Sequence, residues 1–142
     1  VSRDRARRAD RVVEVRERAT RLAESALAEA TKAVRAAEVA VFEARKAWEV
    51  AASRSIDGPC SSLDLADAHA QLLYLQKTVE TKLTLQVQAQ MAEHAARAAL
   101  TAARVEQKKV ETWREGLLNA ALNDEAYKER RATDELAASR AR

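Results

Sequence analysis

The chain has 142 residues, a formal net charge of +3, two glycines, one proline, one cysteine, one phenylalanine, two tryptophans and two tyrosines. Hydrophobic residues make up 47% of it, yet much of that is alanine, whose burial removes little apolar area from water, so a wide multilayer core is excluded. Alanine with glutamate, lysine, leucine and arginine at this density, and almost no turn formers, is the composition of long helices and coiled coils.

The opening arginines, seven up to Arg18, are interspersed with Asp4, Asp10, Glu14 and Glu17. Mixed signs of this kind suit a solvated helix face or an acidic protein surface better than nucleic acid, and no aromatic stacking residue accompanies them. The same stretch leads into alternating charge, not a signal-peptide core, and no apolar run reaches the roughly 18 to 20 residues that span a bilayer. A soluble, cytoplasmic protein is expected. The lone Cys60 permits no intramolecular disulfide and fits a reducing compartment.

The first helix is expected over about 3–54. Val12, Val15, Ala19, Leu22 and Ala26 step by three and four; Leu27, Ala30, Val34, Ala37, Val41, Ala44, Trp48 and Ala51 repeat the pattern. The two runs are offset by one residue near Ala26, which predicts a local relaxation of the supercoil. Alanine at every second core position favours close approach of one partner helix.

A turn is expected over 55–62. Pro59 lacks an amide proton and clashes with a preceding helical turn, and Gly58 can adopt a positive φ, so the first helix must stop here. Ser61 followed by Asp64 three residues later reads as a capping box, with Ser62 as an alternative N-cap.

The second helix is expected over about 63–140. Leu65, Ala68, Leu72, Leu75, Val79 and Leu83 form its apolar face, continued by Met91, Ala95, Ala98, Ala102 and Val105. A turn centred near Gly58 folds it back antiparallel on the first, with residue i opposite about 116 − i. Val41 then meets Leu75, Val34 meets Leu83, and Trp48 meets Ala68. Gln86, Gln88 and Gln90 fall where the first stripe is displaced, so the seam is expected to be weakest there. The stretch from Gly116 onward is left without a partner, among dense charge, and a lone helix of that length is marginal in water. The chain thus reads as a single all-α domain, an antiparallel two-helix coiled-coil hairpin with a longer second helix.

His69 and His94 have no ligand partners at suitable spacing, no glycine loop cradles phosphate, and no nucleophile has a histidine partner. No metal, no cofactor and no catalytic residue is expected, and the protein reads as a non-enzyme. Trp48, Trp113 and Tyr74 are large rings in an alanine-rich chain; each either caps the seam or anchors a partner.

The segment Ala102–Glu115, with Lys108-Lys109 and Trp113, followed by Asn123–Ala137, with Arg130-Arg131 and Asp134-Glu135-Leu136-Ala137, resembles the C-terminal half of the flagellar FliJ and injectisome YscO family. The first helix is similar too, with its basic start and Trp48 near its end. The resemblance implies a central-stalk protein of a type III secretion apparatus, peripheral at its base, that enters and activates the hexameric export ATPase, binds the export-gate membrane protein and in some members escorts chaperones. It implies ATPase contacts at Arg7, Arg8, Arg11, Arg130, Arg131, Asp134 and Glu135, and export-gate contacts at Trp48, Tyr74 and Leu75. The family's second aromatic is missing, Ala44 standing in its place. A protein that is monomeric alone and binds no nucleic acid is expected; a structural homodimeric coiled coil and a basic nucleic-acid binder stay open as alternatives.

Overall fold

The computed structural model describes residues 2–54 and 61–141; the turn residues Ser55–Cys60, including the stop assigned to Gly58 and Pro59 and the thiol of Cys60, lie outside the described residues. Two helices account for almost all of the rest: α1, Ser2–Ser53, and α2, Ser62–Ala141. α1 contains no glycine or proline and α2 contains only Gly116, so high helix propensity runs through both, lowered in α2 at that one position. The capping box forms as the sequence predicts. The Asp64 amide donates to Ser61 Oγ and the Ser61 amide to Asp64 Oδ2, each at 3.2 Å, while the Leu65 amide donates to the Ser61 carbonyl. Ser61, not Ser62, is therefore the N-cap.

The helices pair antiparallel, the second longer than the first, in two compact units: Val1–Ala23 with Ala99–Arg142, and Glu24–Ala98. In the first unit Asp10 meets Arg114, and Thr20 meets the Ala103 carbonyl. In the second, Ala47 and Ala51 share a groove with Gln71 and Leu75. In each pair α1 numbers rise as α2 numbers fall, and residue i lies opposite about 123 − i.

That register is one heptad away from the expected 116 − i. Leu75 sits by Ala47 and Ala51 instead of Val41, and Trp48 sits by Gln76 and Val79 instead of Ala68. The physical reason is at the start of α2, where 62–67 are all exposed before half-buried Ala68. These turns have no seam partner on α1, so the pairing is displaced along α2. Only from Ala68 does the expected face of Leu72, Leu75, Val79 and Leu83 hold, and Leu65 is exposed.

Buried and half-buried residues on α1 recur at 6, 13 and 20 in the first unit and at 27, 34 and 41 in the second, each step being seven. The run expected from Leu27 to Ala51 is thus the seam, apart from Trp48, which is 38% exposed. The expected run Val12, Val15, Ala19, Leu22 and Ala26 is exposed throughout, Leu22 at 72%. In its place the seam uses Ala9, Val13, Glu17, Thr20 and Ala23, and the one-residue offset near Ala26 does not exist. Its expected counterpart on α2 shifts likewise. Met91, Ala95, Ala98, Ala102 and Val105 are exposed, while Glu93 and Ala96 in one unit and Leu100, Ala103, Gln107 and Val110 in the other face α1. Gln86 is half-buried, but Gln88 and Gln90 are exposed, so no glutamine cluster weakens the seam.

The core is thin. Among the described residues only Ala9, Val13, Val34, Val41 and Leu100 are buried apolar side chains, with Thr20 the one buried polar side chain. A two-helix seam covers each core residue from one side only, so most of its positions stay half-buried.

Candidate interaction surfaces

The residues assigned to ATPase contact all belong to the first unit. Arg7, Arg8 and Arg11 project from exposed positions of α1. By the register they lie level with about 112–116 of α2, whereas Arg130 begins some 14 residues further on, about 20 Å along the axis. The seven residues therefore form two groups, not one cluster. In the second group Arg131 pairs with Glu135 at 3.5 Å, and Arg130 and Asp134 line a shallow groove with Glu129. Both groups are open to solvent, where such pairs contribute at most a few tenths of a kcal/mol.

The region expected to lack a partner from Gly116 starts later. Leu117 and Ala121 are half-buried in the seam, and Arg3 reaches Glu125 at 3.6 Å. From 122 to 141 every residue of α2 is exposed. The heptad positions that carry Leu117 and Ala121 continue as Asp124, Lys128, Arg131 and Glu135, so the apolar stripe ends at Ala121, one turn before the Arg3–Glu125 pair.

The residues assigned to gate contact belong to the second unit. Trp48 lines a groove with Arg45, Glu49, Gln76 and Val79. Leu75 lines a different groove, on the other edge of the seam, with Ala47, Val50 and Gln71. Tyr74 is 70% exposed and lies on the Leu75 edge, one turn from Gln71. Trp48 and Leu75 thus approach the seam from opposite edges, and a single flat partner surface can cover Tyr74 with Leu75 but not Trp48 as well.

Sequence reasoning missed Phe42, which is 66% exposed beside Val39 on the outer face of α1. The signal was present: an apolar pair three residues apart, off the seam stripe, containing the only phenylalanine. His69 and His94 are exposed, and among the described residues no group of three or more His, Cys, Asp or Glu side chains could hold a metal ion. Among the described residues no helix is long and apolar enough to cross a membrane. What the surfaces offer chemically is contact, through exposed rings on both units and the exposed charge of 122–141 on the first. No family model matches the chain, and no curated protein or solved structure matches it either.

Proposed function

We propose that the chain is a central-stalk component of a type III secretion apparatus, located in the cytoplasm at its base, where it activates the hexameric export ATPase and links it to the export gate. Three things support this reading: the resemblance of Ala102–Glu115 and Asn123–Ala137 to the FliJ and YscO family, the antiparallel pair of unequal helices, and the exposed extension of α2. The extension carries the reading furthest. Residues 122–141 keep helical form with every side chain exposed and with charges placed for i,i+4 pairing, as a segment inserted into a polar ring requires. Arg7, Arg8 and Arg11 add a second basic contact nearer the seam, and Tyr74 with Leu75 faces the gate.

The test is the hydrolysis rate and hexamer yield of the cognate secretion ATPase with and without the purified chain. Stimulation is expected, and removal of 122–141 abolishes it. Truncation belongs after Ala121, because a cut at Gly116 also removes Leu117 and Ala121 from the seam. An ATPase stimulated equally by full-length and shortened chains would overturn the proposal.

A further inference from the structure

The two edges of the first unit differ in a way that its seam does not explain. One edge carries the ion pairs that tie the helices together, Arg3 with Glu125 at 3.6 Å and Asp10 with Arg114. The other edge carries no ion pair between the helices among the described residues and is mostly apolar. In an antiparallel pair, the residues just before the leading core position of each helix adjoin across the same edge. Beside Arg5 and half-buried Glu106, those residues include Val12 and Ala19 on α1 and Trp113 on α2; with Val15 and Leu22 one row out, these make an apolar stripe of five. All five are exposed, Val15 at 61% and Trp113 at 49%.

This stripe is bordered by cations in a regular arrangement. Arg8 precedes Val12, Arg11 precedes Val15 and Arg18 precedes Leu22, each by four residues and so by one helical turn. None of these three arginines makes an ion pair among the described residues. The acid nearest the stripe on α2, Glu106, is half-buried and already engaged by Lys109 at 3.2 Å.

We propose that this edge of the first unit docks one amphipathic helix of a partner protein, with an apolar stripe flanked by acidic residues. The groove between two paired helices accepts a third helix by the same side-chain interdigitation that forms the seam. Charge selects the occupant: the three arginines, which make no ion pair among the described residues, attract carboxylates along the α1 flank of the incoming stripe. A second copy of the chain would bring the same arginine row against itself. A flat anionic bilayer would touch the outer row, Val15 and Leu22, while leaving the groove residues Val12, Ala19 and Trp113 uncovered. The inference does not depend on the secretion ATPase reading and is tested separately from it.

The experiment titrates the full chain into two fluorescently labelled synthetic helices of about four heptads, with the same leucine stripe, flanked by glutamate in one and by lysine in the other. Anisotropy is expected to show saturable one-to-one binding of the glutamate helix, weakened by added salt. Leu22→Glu should lower its affinity about tenfold or more. The double change Arg11→Glu with Arg18→Glu should transfer preference to the lysine helix, and it decides the matter if Leu22→Glu loses helicity by circular dichroism. Equal affinity for both helices, or affinity for neither, would overturn the proposal. So would binding to phosphatidylglycerol-containing vesicles in place of the peptide, or a concentration-dependent dimer that Leu22→Glu abolishes.

Discussion

Arg114 donates from Nε to the carboxylate of Asp10 across the seam of the first unit. Both side chains are about half exposed, so water screens the attraction and the pair stabilises modestly. Its greater effect is on alignment. Sliding α2 by one heptad into the 116 − i register would bring Arg114 level with Arg3, cation beside cation, and Asp10 level with uncharged Gln107.

The double-mutant cycle of Asp10→Ala and Arg114→Ala is therefore expected to give a coupling of about 0.5–1 kcal/mol at low salt, read by urea unfolding. The charge swap Asp10→Arg with Arg114→Asp should recover most of the loss of either single reversal. A coupling indistinguishable from zero would mean that the pair does not hold the register.

Thr20 is the one buried polar side chain among the described residues. Its hydroxyl lies 3.0 Å from the Arg16 carbonyl and 3.5 Å from the Ala103 carbonyl of the facing helix. Both carbonyls have their own places in helical hydrogen bonding, so the hydroxyl gains little that valine would forgo. Thr20→Val, which keeps the shape, is expected to stabilise the chain by about 0.5–1 kcal/mol in thermal or urea unfolding. Destabilisation would show that the bond to Ala103 outweighs the burial of a second methyl group.

What could be read from the sequence follows from how local each signal is. The Ser61–Asp64 cap lies within four consecutive residues, and its geometry needs no partner. The Leu27–Ala51 stripe was legible because no apolar stripe of comparable length runs beside it. Over 6–23 the competition went the other way: Val12, Val15 and Leu22 are larger than Ala9, Thr20 and Ala23, yet the smaller set faces α2. Periodicity ranks stripes by apolarity, whereas the partner selects by alignment with its own seam. Register was illegible for a related reason, since sliding α2 by seven residues returns every core position to the seam. As for the contact surfaces, the residues assigned by resemblance are exposed apart from Leu75, which is half-buried in the seam, but nothing in their spacing revealed that they fall into separate groups.

The register itself is open to a direct measurement. In a Cys60→Ser background, cysteines at Ala37 and Gln86 are expected to form a disulfide rapidly on mild oxidation, because the 123 − i alignment sets them side by side in the second unit. Cysteines at Ala37 and Val79, matched under 116 − i, lie about 10 Å apart along the axis and should stay reduced. The reverse pattern would restore the symmetric turn.

Gly116 is the only glycine within either helix, and a Cβ built on it meets nothing within 4 Å. It occupies an exposed position between Arg114 and Leu117, both of which contact the seam. No close approach therefore requires glycine here, while its backbone freedom in the unfolded chain opposes helix formation. Gly116→Ala is expected to stabilise the first unit by about 0.5–1 kcal/mol, raising the unfolding midpoint and slowing amide exchange around Leu117. If the ATPase were then less stimulated although the fold was firmer, the glycine would be serving bending of α2 ahead of its exposed segment. Unchanged stimulation with the higher midpoint would assign it no role beyond the helix it interrupts.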